Sequence, residues 1–387
     1  MGDDGVEMQS TKPDRRLVLR VLVVVVVVLV AAALRTVAAI RLPTDYDEPV
    51  YFNSAEAYAS VMRAGNLVAI PDADPNVEHP PLFKLLYGVL LAQSPPAPEA
   101  PVEPAMVTAP GTLARLREMR LLSAAFGVLN VLVVGAVSPL AGLFLAAHTY
   151  HIKYTAQAFL ESLPLLTSTI SVLAYMKSGR RANGWLALSA AALGLTAASK
   201  YTFALVGVAV VLDWLREALF GERREGASVT RQIGLLMAWG VASVLVFLAA
   251  NPALWPAPLA RLGASLSMLV GRAESAHAQS FGYGVPELLW WLFTPITVPG
   301  AIFTPFDTIP MVLSLVGLPR TWKTRPVIAI WWAVGLALLL LWTVRLPHYT
   351  LVMTVPVTLC AAAGVEQIIA WVQGRQVEGT ARPVGVE

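Results

Sequence analysis

The sequence predicts an all-α polytopic membrane protein, and three observations carry this. Hydrophobic residues make up 56% of the 387-residue chain and charged residues only 14%, against about 25% charged in an ordinary soluble domain. So few charges cannot clothe a soluble surface, and the apolar surplus must face lipid. Apolar segments of near-bilayer length then recur along the chain, and short basic connections alternate with long, proline-rich ones. A single cysteine, Cys360, excludes a disulfide framework or a cysteine metal cluster. A net charge of +3 from scattered basic residues gives no nucleic-acid footprint.

The first span runs from Leu17 to Ile40, interrupted only by Arg20 and Arg35 and containing the valine run Val23–Val28. It exceeds the roughly 7–15 apolar residues of a signal peptide and reads as an uncleaved anchor. Lys12, Arg15 and Arg16 before it place the N-terminus in the cytoplasm. Further apolar segments lie near 119–137, 138–150, 157–177, 184–199, 201–219, 232–250, 296–318, 326–343 and 348–371. The 138–150 segment is short for a bilayer needing about 20 residues. Prolines break 285–318, which is expected to cross once with 285–295 lying in the interface. The total is about ten spans, on a criterion of roughly 20 residues each.

Basic clusters at Lys177/Arg180/Arg181, Arg216/Arg223/Arg224/Arg231 and Arg320/Lys323/Arg325 mark the cytoplasmic side, so both termini are expected there. The expected organisation is one domain over 1–371 with outer loops at 43–115 and 251–295, followed by a disordered cytoplasmic tail at 372–387. Loops beyond about 15 residues are more often functional or disordered than plain connectors. Within them Pro95–Pro110 is expected to be disordered. Pro81–Gln93 and Leu254–Gln279 have the amphipathic pattern of helices lying on the membrane surface. Trp255, Trp290, Trp291 and Trp342 fall near the outer boundary, where indoles prefer to sit.

The chemistry-bearing residues gather on that outer side. Asp45-Tyr46-Asp47-Glu48-Pro49-Val50-Tyr51 follows the first span directly. In the bland reading Asp47 caps a helix that starts at Pro49 and carries Tyr51, Ala55 and Tyr58. In the functional reading it is a general base whose pKa is raised by low dielectric and like-charged neighbours. Asp-x-Asp also suits a divalent metal, but the pattern is too common to carry one, and no cofactor is expected. Glu78-His79-Pro80-Pro81 stiffens a turn and starts a helix. Lys84, Lys153, Lys200 and Arg345 each sit singly at the outer end of an apolar stretch, where any one alone is a snorkelling anchor. Together with an acidic cluster at the same interface they describe the handling of an anionic lipid headgroup. Glu161 stands at the edge of an apolar segment, where a carboxylate is a candidate site residue by default. His148 and His151 are too few for a metal site, and Asp307 draws no assignment.

These motifs, in this order, resemble the membrane glycosyltransferases of the GT-C fold, in particular the protein O-mannosyltransferases and the lipid A aminoarabinose transferases. The matching residues are Asp47-Glu48, His79-Pro80-Pro81-Leu82, the stretch from Lys153 to Glu161, Ser199-Lys200-Tyr201, Asn251-Pro252 and Arg345-Leu346-Pro347-His348-Tyr349. The resemblance implies Asp47 as catalytic base, with Glu48 and Glu161 as further acidic positions of the cavity. It places Lys200 and Arg345, with Lys84 and Lys153 as further cations, at the donor phosphate. Tyr51, His79, His348 and Tyr349 would position the acceptor or the loops.

The implied donor is a polyprenyl-phosphate sugar, hexosyl or pentosyl, reaching the site through membrane lipid. The implied acceptor is a hydroxyl on a protein, lipid or glycan of the cell envelope. The step would be a single inverting displacement at the plasma membrane, with no nucleic acid involved; a divalent metal is not expected, though the residues leave room for one. The sequence departs from many relatives in its shorter length, its lack of a C-terminal soluble domain, His79 in place of a lysine, and glutamate at 161 where aspartate is common. A transporter or flippase of lipid-linked saccharides is the competing class. It would show repeats and midplane polar groups, whereas here no repeat is found and the polar residues gather at one face.

Overall fold

The computed structural model describes residues 15–96, 110–220, 228–275, 283–297, 305–342 and 344–374. These form fifteen α-helices and several 3-10 turns, with no strand among the described residues. The protein is an all-α polytopic membrane protein. Of the expected spans, four are long and apolar enough to cross a bilayer by length and composition alone: Arg15–Arg41, Pro110–Val137, Val229–Ala249 and Pro347–Val372.

Helix α1 (Arg15–Arg41) presents most of its valines outward, as a lipid-facing helix must. Its two arginines serve other helices. Arg20 donates to Ala136 O (2.7 Å) and Val137 O (3.2 Å), the last carbonyls of α4 (Pro110–Val137). Buried Arg35 donates to Leu145 O and Ala146 O, both at 3.3 Å, at the end of α5 (Pro139–Ala147). Terminal carbonyls have no partner within their own helix, and a cation there also meets the negative end of the helix dipole. Each charge inside the first span is thereby matched.

Helix α2 (Glu48–Arg63) has Pro49 in its first turn and buries Tyr51, Ala55 and Tyr58 on one face, as expected, against α3 (Leu82–Leu91). Helix α4 starts inside the region expected to be loop. The short 138–150 segment turns out to be two helices, α5 and α6 (Thr149–Ala156), broken at His148, whose ψ of 118° is extended. Helices α7 (Ser162–Ser178) and α8 (Gly184–Ser199) pack together, joined by Gly179 in the left-handed region (φ 57°) and an Asn183 cap on Leu186 N at 3.0 Å. Helix α9 (Val206–Phe220) leans on the later helix Pro326–Leu341, and α10 (Val229–Ala249) packs on α8.

The segment 251–295, expected as an outer loop, holds α11 (Pro258–Glu274) and α12 (Val285–Phe293), where surface helices are expected. Helix α13 (Thr308–Thr324) begins and ends later than the expected 296–318; Pro310 falls in its first turn, where a missing N–H is harmless. Helices α14 (Pro326–Leu341) and α15 (Leu351–Val372) complete the bundle. Helix α13 crosses α15 at Gly317 and Gly364: a Cβ on Gly317 would lie 1.9 Å from Cys360 O, so only glycine permits this approach. The expected disorder of Pro95–Pro110 and of the 372–387 tail falls almost wholly outside the described residues.

Candidate functional site

The turn between α1 and α2 is built on Glu48. Arg120, from α4, donates to both Glu48 oxygens (2.7 and 2.5 Å) and to Ala39 O, Leu42 O and Pro43 O at 2.8–3.1 Å. Glu48 also accepts from Ala158 N and Asp45 N, both at 2.8 Å. Lys153 on α6 pairs with Asp45 at 2.8 Å, and Gln157 donates to Pro43 O at 3.1 Å. The loop is clasped from α4, from α6 and from the segment just after α6, and Glu48 is fully buried in the clasp. Sequence reasoning missed Arg120. An arginine on an otherwise apolar helix is the signal that could have found it.

Asp47 is the exception in this loop. It stands at the N-cap position of α2 but has helical dihedrals (φ −82°, ψ −19°), and its side chain makes no capping bond. Its carboxylate accepts no hydrogen bond among the described residues. Burial pushes its pKa up to about 7; Lys200 opposes that rise, while Glu161, Asp45 and Glu78 add to it. A half-buried, unengaged carboxylate titrating near neutrality is suited to accept a proton.

Facing it, Lys200 at the end of α8 forms an ion pair with Glu161 at the start of α7. The pair is sealed, at 3% and 0% side-chain exposure. The second Glu161 oxygen is buried without a partner among the described residues. Lys200 Nζ also lies 5.8 Å from the centre of the Tyr349 ring.

An aromatic wall closes the site: Phe159 meets Tyr51 (6.2 Å), Tyr154 (5.2 Å) and His348 (5.8 Å), and His348 meets Tyr349 (4.4 Å). His79 lies 6.1 Å from Tyr51, and burial holds its imidazole well below the usual pKa, hence neutral. It sits beside Glu78, which pairs with Arg272 of α11 at 2.6 Å and so ties the 43–115 and 251–295 segments together.

Arg345 lies on a neighbouring narrow cleft, lined by Thr202, Leu288, Leu338, Trp342 and Tyr349. Its Nη2 donates to Leu340 O at 3.0 Å, while its Nε, the Trp342 Nε1 and the Thr202 hydroxyl are buried without partners among the described residues. Tyr349 touches both this cleft and Lys200, so the two adjoin.

Two expected phosphate cations are engaged elsewhere. Lys84 is fully buried, pairs with Asp74 at 2.5 Å and donates to His79 O at 2.8 Å, knitting the 74–79 turn to α3. Lys153 is held by Asp45. The structure thus brings Asp47, Glu161, Lys200, Tyr51, His79, His348 and Tyr349 together, sets Arg345 on the adjoining cleft, and places Glu48, Lys84 and Lys153 in the supporting framework. No group of three or more His, Cys, Asp or Glu side chains is arranged to hold a metal ion among the described residues.

No family model and no curated protein matches the chain. Solved structures do. ArnT from Cupriavidus metallidurans, bound to undecaprenyl phosphate, superposes with a TM-score of 0.52 at 19% identity, over 93% of this chain and 63% of that one. The oligosaccharyltransferase of Archaeoglobus fulgidus, in the apo form, gives 0.55 at 11% identity, over 92% and 51%. The chain has the GT-C fold. The S. cerevisiae protein O-mannosyltransferase Pmt1-Pmt2 complex, bound to its sugar donor, is a looser likeness, with a TM-score of 0.44 at 17% identity, over 65% of this chain and 34% of that one. The chain spans less than two thirds of the length of each of these proteins. The turn after the first helix carries Asp47, and Leu288 of α12 lines the Arg345 cleft.

Proposed function

We propose that this protein transfers a sugar from a polyprenyl-phosphate donor to an acceptor hydroxyl at the extracytoplasmic face of the plasma membrane, with both termini in the cytoplasm. The observation that carries the reading is Asp47: it is held in place by a loop that Glu48 and Arg120 pin, yet its carboxylate accepts no hydrogen bond among the described residues, and burial pushes its pKa up to about 7. Asp47 takes the proton of the acceptor hydroxyl as that oxygen attacks C1 of the sugar. The bond from C1 to the phosphate oxygen breaks, its electron pair leaves with the phosphate, and the configuration at C1 inverts.

The departing polyprenyl phosphate is a stable anion and needs no general acid. Its growing charge meets Lys200 and Arg345, and preorganised charge of this kind is usually the largest catalytic term. The apolar cleft, with unpaired donors on Arg345 and Trp342, suits the junction of phosphate and prenyl chain. Glu161 holds Lys200 in place, and Glu48 holds the loop. Support for the donor class comes from ArnT, which shares the fold and is bound to undecaprenyl phosphate.

The test is incubation of the purified protein in nanodiscs with polyprenyl-phosphate hexoses and pentoses, together with envelope lipid and glycan acceptors. Release of polyprenyl phosphate by the wild type and not by Asp47→Asn is expected. Donor that binds the wild type but is never consumed would instead favour transport.

A further inference from the structure

The break between α5 and α6 is capped on both sides by charges from distant helices. Arg35 of α1 takes the last carbonyls of α5. Asp307, at the start of α13 and 1% exposed, takes the start of α6. Its Oδ1 accepts from Thr149 N at 2.8 Å and lies 2.6 Å from His148 Nδ1, and its Oδ2 accepts from the Thr149 hydroxyl at 2.8 Å. The N-cap residue of α6 is His148, which makes no side-chain cap bond, so a carboxylate 158 residues away supplies the cap. An anion at a helix N-terminus and a cation at a C-terminus each match the local dipole.

The Thr149 hydroxyl has a second bond: it accepts from Ile296 N at 2.8 Å. Ile296 lies just beyond α12, whose Leu288 lines the Arg345 cleft. Thr308, next to Asp307, donates to Phe293 O at the end of α12. On its other flank, α6 carries Lys153, which grips Asp45 two residues before Asp47.

We propose that Asp307 is a positioning residue which, by capping α6 through Thr149, couples the wall of the Arg345 cleft to the loop that presents Asp47. The coupling rests on the transferase reading for its effect on rate, but not for its structural readout. One end of α6 registers α12 and the other registers the base, so an error at Thr149 is felt on both sides of the reacting bond. No part of this assembly touches the reacting atoms.

Thr149→Val keeps the backbone cap and the side-chain shape but loses the hydroxyl that links Asp307 to Ile296; Thr149→Ser restores it. Hydrogen–deuterium exchange of the intact protein in nanodiscs should show faster exchange at both 285–296 and 149–156 in Thr149→Val, with Thr149→Ser as wild type. The transfer assay should show the donor KM raised and kcat lowered, each about fivefold, the usual worth of about one hydrogen bond, with rescue by Thr149→Ser. Asp307→Asn, which keeps an acceptor oxygen but loses the charge beside His148, should fall between, and it serves if Thr149→Val does not fold. Faster exchange confined to 149–156, or a Thr149→Val rate equal to wild type in an active preparation, overturns the coupling. If the wild type transfers no sugar while exchange still rises in both segments, the coupling stands and the transferase reading falls.

Discussion

Asp47 and Glu48 are adjacent in sequence and opposite in commitment: the Glu48 carboxylate accepts four hydrogen bonds from Arg120, Ala158 N and Asp45 N, while the Asp47 carboxylate accepts none among the described residues. Pinning one residue fixes where its neighbour points and leaves that neighbour's lone pairs available.

The two residues should therefore fail differently. Asp47→Asn removes no hydrogen bond, so thermal stability should stay within about 0.5 kcal/mol, the usual range for such sites, while transfer falls about 10²–10⁴-fold. Arg120→Met leaves the buried Glu48 carboxylate unpaired, which typically costs about 3–5 kcal/mol, and should lower the melting temperature sharply. Thermal unfolding in detergent beside an initial-rate assay separates them. A stable, inactive Arg120→Met would overturn the assignment of Glu48 and Arg120 to the framework.

The pH profile follows from the raised pKa of Asp47. A base works deprotonated, so kcat/KM should rise about tenfold per pH unit below about 7 and level off above it. Asp47→Asn should lose this limb. A profile flat from pH 5 to 8, on the scale of an ordinary carboxylate pKa of about 4, would remove Asp47 from the role.

Lys200 and Arg345 are predicted to hold the donor phosphate. Hydrogen bonds to charged groups contribute roughly 1.5–3 kcal/mol, so Arg345→Gln should weaken binding of a polyprenyl-phosphate sugar about tenfold or more. Arg345→Lys should be intermediate, since it keeps charge but loses the planar fork. Lys200→Gln should weaken binding similarly and also destabilise the fold, because Glu161 is left buried and unpaired. Donor binding equal to wild type in both Gln variants would make these residues anchors only.

The sidedness can be read by labelling. In a Cys360→Ala background, cysteines at Val68 (89% exposed) and Leu259 (87% exposed) should react with an impermeant thiol reagent in intact cells. One at Val372 (82% exposed) should react only after permeabilisation. Protection of Val68→Cys in intact cells would invert the topology.

Gly317→Ala should unfold or misassemble the α13–α15 pair, since its Cβ would meet backbone rather than a side chain that can yield. A core overpacking penalty of about 1–3 kcal/mol is a lower bound here. A melting temperature equal to wild type would show that the crossing can widen.

The sequence by itself determined the fold class, because an apolar surplus with few charges admits lipid-facing helices and little else. It also determined the buried face of α2, which follows from helical spacing of Tyr51, Ala55 and Tyr58, and it gathered the candidate residues on one side through the positions of the basic clusters. Only the tertiary structure decided what each charge touches. Arg120 meets Glu48 across 72 residues, Lys200 meets Glu161 across 39 and Asp307 meets Thr149 across 158. Local spacing carries no trace of such pairings, since a buried charge is stabilised by whichever partner packing brings to it. For the same reason Asp47 and Glu48 look equivalent as letters until the surrounding helices engage the Glu48 carboxylate and leave that of Asp47 without a partner among the described residues, and Lys84 looks like Lys200 until packing pairs one with Asp74 and the other with Glu161.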